Sequence, residues 1–187
     1  MRVVSVNVGL PKRVPYKGRT VSTAIFKEPV AGRVAIRAEG LQGNAVGDPR
    51  VHGAPLKAVY GYPSEHYPFW TRELPGMTLP WGMFGENLTT EGLMEPDVRV
   101  GDRYRVGSAV LEATDPRFPC FKLGIRFGRE DIEDRFLQSG RSGFYFRVVR
   151  EGDVAAGDAI ELVARHDHGP TIADVVRARI EEEAGGE

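Results

Sequence analysis

The chain has 187 residues, 41% of them hydrophobic, with 23 Gly and 13 Pro. That is enough for one domain with a real core, and it favours many turns and short elements over long helices. A net charge of −1 excludes a globally basic nucleic-acid binder, and a single cysteine excludes an internal disulfide.

The charges are unevenly spread. Residues 117–150 hold eight Lys/Arg against four Asp/Glu, and residues 151–187 hold three against ten. A local basic zone followed by an acidic tail suits a small anion better than a polymer. Met1-Arg2-Val3-Val4 lacks a signal-peptide pattern and no segment reaches the length of a membrane span, so a soluble, cytoplasmic setting is expected.

Val3 to Val8 reads as a buried strand and Val21 to Ile25 as a second. Val34 to Asp48 is polar and glycine-bearing and reads as a long loop. Leu56 to Tyr60 reads as a strand, and Pro63 as the first residue of a short helix carrying Tyr67, Phe69, Trp70 and Leu74. Pro75 to Gly85 is loop. Arg103 to Val106 and Ala109 to Thr114 flank Gly107-Ser108, and glycine first in a two-residue loop predicts a type II′ hairpin. Glu130 to Gln138 reads as a helix with Ile132, Phe136 and Leu137 inward. Phe144 to Val149 and Ala159 to Val163 are strands joined by a turn-rich Glu151 to Gly157. Thr171 and Asp174 form a capping-box start for a last helix.

Cys120 is the first candidate for chemistry. Pro116 and Pro119 stiffen its loop, and Arg117 and Lys122 flank it. Positive charge beside a thiol favours the thiolate, the form that binds soft metals and attacks sulfur. A buried, inert cysteine is the competing reading. Asp48 and His52 could ligate a metal, or Asp48 could orient the imidazole; ordinary loop duty outweighs ligation, because no second Cys or nearby His completes a zinc set. Glu86, Asn87 and Thr89 offer polar groups at a strand edge. Arg141 and Ser142, bracketed by Gly140 and Gly143, could present N–H groups and a guanidinium to a phosphate, and Arg147 follows on the next strand. His166-Asp167-His168 reads as a solvated loop.

Taken in order, Gly47-Asp48, His52-Gly53, Lys57-Ala58-Val59, Gly85-Glu86-Asn87-Leu88, Gly101-Asp102, Arg117-Phe118-Pro119-Cys120-Phe121-Lys122-Leu123 and Gly140-Arg141-Ser142-Gly143 resemble the MOSC family, named for the C-terminal domain of molybdenum-cofactor sulfurases. The pattern runs from about Gly43 to Asp158. It is most similar to small standalone bacterial members of the 6-N-hydroxylaminopurine resistance type. It departs at Ala54, where a second glycine is usual, and at Leu56, where an acidic residue is frequent.

The resemblance implies a mainly β (α+β) fold. A closed barrel of the pyruvate-kinase inserted-domain type would span 1–165, and a C-terminal helix with an acidic tail would span 166–187, where longer relatives carry several helices. It implies a molybdenum-dependent oxidoreductase acting on N-hydroxylated bases, with Cys120 ligating the molybdenum of a molybdopterin cofactor. Lys57, Arg117, Lys122, Arg141 and Arg147 would neutralise the cofactor phosphate and the charged metal–sulfur centre. Glu86, Asn87 and Thr89 would bond the pterin edges. Asp48 and His52 would shape the mouth, with His52 a candidate proton donor. The alternative is a sulfur carrier using a Cys120 persulfide without bound molybdenum, and a third reading is a non-catalytic binding module. Expected partners are a small-molecule substrate and an electron-donor protein or sulfur donor, with no nucleic-acid polymer and no membrane.

Overall fold

The computed structural model describes residues 1–44 and 55–186. The strands are β1 (Arg2–Val8), β2 (Lys12–Tyr16), β3 (Arg19–Thr23), β4 (Glu28–Pro29), β5 (Val34–Arg37), β6 (Gly40–Leu41), β7 (Val59–Pro63), β8 (Leu88–Glu91), β9 (Arg103–Val106), β10 (Ala109–Pro116), β11 (Phe144–Arg150), β12 (Gly152–Val154) and β13 (Ile160–Ala164). Four helices accompany them: α1 (Tyr67–Glu73), α2 (Phe121–Phe127), α3 (Ile132–Gln138) and α4 (Ile172–Gly185). None is long and apolar enough to cross a membrane.

Eight strands form one mixed sheet in the order β13-β9-β10-β11-β7-β8-β1-β4. Its ladders are antiparallel except β7–β8, which is parallel because α1 and the loop after it carry the chain across between them. One core is mostly aliphatic, built on Val3, Val6, Val59, Leu88 and Leu111 with Phe146 among them. A second, aromatic core holds Tyr62, Trp70, Phe84, Phe127 and Phe136 where α1, α2 and α3 cover the sheet. Tyr62 and Phe84 stack at 4.5 Å, and Trp70 Nε1 donates to the Tyr62 hydroxyl at 2.7 Å, so the buried polar tips are satisfied.

The closed barrel expected from the sequence is not found: the described ladders leave β13 and β4 as edges. Instead, β1 reaches the start of β13 through an isolated bridge, Arg2–Ala159, supported by hydrogen bonds from Val3 N to Asp158 O (2.9 Å) and Ile160 N to Met1 O (2.9 Å). Beyond Ile160 the strand commits its hydrogen bonds to β9, so the contact does not grow into a ladder.

Three local expectations also change. Val34 to Asp48 contains β5 and β6, which join β12 in a three-stranded sheet; pairing with distant Gly152–Val154 overrides a polar local sequence. Leu56 lies in a 3₁₀ turn, Pro55–Lys57, and the strand runs from Val59 to Pro63. Pro63 therefore ends a strand, and α1 starts at Tyr67 with Pro68 in its first turn. The strand expected at Val21 to Ile25 is β3, Arg19–Thr23, and it pairs with β2 in a hairpin that the sequence does not signal. Its Lys17-Gly18 turn holds both residues at positive φ (45° and 75°), as a type I′ turn requires.

The Gly107-Ser108 hairpin forms as expected, with only Gly107 at positive φ (59°). The capping box at α4 forms in full: Thr171 Oγ1 accepts from Asp174 N, and Asp174 accepts from Thr171 N, both at 3.1 Å. Ile172 and Val176 are buried, and α4 packs on β10 and α3.

Candidate functional site

Cys120 sits where β10 has ended and α2 begins. It is half-buried and unpaired, and it is the N-cap of α2 with extended backbone (φ −142°, ψ 167°). Its carbonyl accepts from Leu123 N at 2.7 Å, which closes the first turn. Three residues earlier, Arg117 N is bonded to Gly143 O at 3.4 Å, tying this loop to the start of β11.

The Arg117 side chain turns inward. It is only 6% exposed, and its guanidinium lies 5.1 Å from the Tyr60 ring centroid and 5.4 Å from that of Phe136. Its Nη1 is buried with no hydrogen-bond partner among the described residues. Burial opposes the charge, yet Coulombic coupling to Tyr60, Tyr145 and Cys120 holds the guanidinium above its ordinary pKa. The guanidinium stays charged in this buried setting. Lys57 borders the same group, with Nζ 5.5 Å from the Tyr145 ring centroid.

Two further cations converge here that the sequence reading passed over. Lys27 is 7% exposed; its Nζ donates to Asn44 Oδ1 (2.5 Å) and Ala24 O (3.1 Å). Burial pulls its pKa down to about 8, Glu86 counters this, and Arg117 adds to it. Arg126, on α2, lies 5.2 Å from the Phe26 ring centroid, and its buried Nε has no hydrogen-bond partner among the described residues. Burial lowers its pKa too, against the pull of Glu86, Tyr67 and Glu28. Nothing local to the Ala24-Ile25-Phe26-Lys27 run marks that lysine as buried, because its surroundings come from distant segments.

Glu86, Asn87 and Thr89 are brought together, but their groups are bonded to protein. Glu86 is 0% exposed and accepts from the Tyr67 hydroxyl (2.5 Å), Gly82 N (2.8 Å), Thr89 Oγ1 (2.9 Å) and Phe84 N (3.1 Å). Burial raises its pKa, and these donors oppose the rise. Asn87 Oδ1 accepts from Tyr60 N at 3.1 Å, and Thr89 Oγ1 accepts from Asn7 Nδ2 at 3.1 Å. The set braces β1, β7 and β8 beneath the cations.

The other predicted residues separate. Arg147 is committed to Glu112, at 2.7 and 3.0 Å, and Arg103 bonds the same carboxylate at 2.7 Å across the outer face of β9–β10–β11. Arg141 stacks on Phe69 at 3.8 Å in a different cleft. Lys122 follows Cys120 in the first turn of α2, half-buried. Asp48 and His52 lie outside the described residues. Among the described residues no group of three His, Cys, Asp or Glu side chains is arranged to hold a metal ion.

The arrangement can bind an anion beside a thiol. Two buried guanidinium nitrogens without partners among the described residues, together with a buried amine, carry a desolvation cost that an anionic ligand would offset.

The family described as MOSC domain matches residues 48–161. The protein YflK of Bacillus subtilis is 41% identical over 170 residues, covering 91% of this chain and 76% of its own. A protein named Reductase from Gibberella moniliformis is 36% identical over 151 residues, 79% of this chain but 27% of its own. The crystal structure of YiiM from Geobacillus stearothermophilus superposes with a TM-score of 0.80 at 37% identity, over 97% of this chain and 84% of that one.

Proposed function

The chain belongs to the MOSC domain family, and from that premise we propose that it reduces N-hydroxylated compounds at a molybdenum–pterin cofactor ligated by Cys120. The observation that carries the reading is the buried Arg117 guanidinium, whose Nη1 has no hydrogen-bond partner among the described residues, three positions before the only thiol. The residues fit such a group. A thiolate is a soft ligand suited to molybdenum, and Arg117, Arg126 and Lys27 can neutralise a phosphate and a charged metal–sulfur centre. Bound there, the cofactor supplies the two-electron chemistry. The protein's own part is orientation, charge and proton supply. Lys27, held near a pKa of about 8, can keep or give a proton at Nζ close to neutral pH. The Tyr60 and Phe136 rings keep water from the inner face of Arg117, which strengthens its field on the thiol side. The name of the fungal relative, Reductase, supports the reaction type. Reducing equivalents would come from an electron-donor protein.

Elemental analysis of protein from a host that makes molybdenum cofactor is the test, wild type against Cys120→Ser. Near-stoichiometric molybdenum in the wild type, lost in the variant, is the expected result. Molybdenum absent from both, with persulfide on Cys120, would replace the reading by sulfur transfer, a step that the half-buried free thiol also permits.

A further inference from the structure

A concavity lies away from Cys120. It is a cleft of about 510 Å³ between α1 and the turn from Ser139 to Arg141, with Ala173 of α4 at its side. None of Cys120, Arg117, Lys27 or Arg126 lines it. Its volume falls in the range of small-molecule sites.

Two guanidinium groups line it, Arg72 and Arg141. Neither is ion-paired to a carboxylate among the described residues, whereas the neighbouring Arg135 is paired to Glu73 at 2.7 Å. Arg141 donates to Ser139 O at 3.0 Å and lies 3.8 Å from the Phe69 ring centroid, so its plane is held against an aromatic face. The two acids in the lining are already engaged. Glu65 accepts from Gly92 N at 2.6 Å, and Glu95 accepts from His66 Nε2 at 2.9 Å and Gly143 N at 2.8 Å. Met94 and Pro96 make part of the wall apolar. A bare inorganic ion would leave that wall unused.

We propose that this cleft binds a small organic anion built on a planar ring, its charged group held by Arg72 and Arg141 and its ring packed against the Phe69–Arg141 stack. A ring carboxylate and a nucleoside monophosphate share that chemistry. The proposal is independent of the Cys120 reading, since the two sites have no lining residue in common.

Calorimetric titration of the full chain with adenosine monophosphate and with benzoate is the test. Adenosine, benzyl alcohol and inorganic phosphate serve as comparisons. Saturable binding of at least one ring anion is expected, tenfold or more tighter than its neutral counterpart and than phosphate. Arg72→Gln, at an exposed position, and Arg141→Gln should each weaken it roughly tenfold, the loss of one charge-assisted hydrogen bond. Cys120→Ser should bind as the wild type does. The preferred anion identifies the source: adenosine monophosphate points to nucleotides, benzoate to ring carboxylates. No saturable binding by either anion, phosphate binding as tightly as both, or binding lost in Cys120→Ser but kept in the arginine variants would each overturn the proposal.

Discussion

The Arg117 guanidinium lies 5.1 Å from the Tyr60 ring centroid, and the Tyr60 hydroxyl donates to Ser142 O at 2.7 Å. One aromatic side chain thereby links the buried cation beneath Cys120 to the loop that starts β11. Among the described residues Arg117 has no carboxylate partner, and its Nη1 has no acceptor. A cation so placed serves a ligand better than it serves folding.

Arg117→Met should therefore leave the protein folded, with stability within about 2 kcal/mol of the wild type, because the desolvation cost of the guanidinium and its favourable coupling to Tyr60 and Tyr145 are removed together. Molybdenum loading should fall sharply. Chemical unfolding and elemental analysis on the same preparation check both. A loss of several kcal/mol would show that Arg117 is a structural post.

Lys27 gives a pH-dependent prediction. Its folded pKa of about 8 is below the ordinary 10.5, so between those values the unfolded chain binds more protons than the folded one. Stability from this group therefore rises with pH through that window. Lys27→Met should be more stable than wild type at pH 7, by up to about 3 kcal/mol, with the advantage shrinking towards pH 10. Urea unfolding at both pH values checks it; a constant difference would mean that Lys27 is not desolvated.

Glu86 accepts from four donors in a fully buried setting. Glu86→Ala strands them and should cost about 3 kcal/mol or more. Glu86→Gln, whose amide N–H₂ must face a donor, should cost about 1–3 kcal/mol. Urea midpoints at constant m-value measure both. An isoenergetic Ala variant would mean that water enters and replaces the carboxylate.

Gly140 and Gly143 flank the Arg141-Ser142 pair, and both adopt positive φ, 68° and 59°. A Cβ on Gly140 meets nothing within 4 Å, whereas one on Gly143 would sit 2.4 Å from Gly61 O on β7. Gly140→Ala should cost about 1–2 kcal/mol from backbone strain alone. Gly143→Ala should cost clearly more, and thermal unfolding of the pair should show the order.

Features set by neighbours along the chain were legible. The Gly107-Ser108 turn, the Thr171–Asp174 capping box and the break at Cys120 each rest on contacts a few residues apart, which the amino-acid order encodes directly. The family was legible for a related reason: the ordered segments from Gly47 to Gly143 can be read without knowing where they meet.

The tertiary structure alone decided which side chains share a site. Arg141 and Arg147 both looked like cofactor residues, yet strand pairing gives Arg147 to Glu112 and the Phe69 stack draws Arg141 into another cleft. Lys27 and Arg126, nearly a hundred positions apart, flank Phe26 because the segment after β3 packs against α2. The open sheet has the same origin. Whether Ile160 continues along β1 or turns to β9 depends on a competition between backbone partners far apart in the chain. Burial, charge convergence and sheet closure are properties of long-range pairing, and no local pattern of residues specifies them.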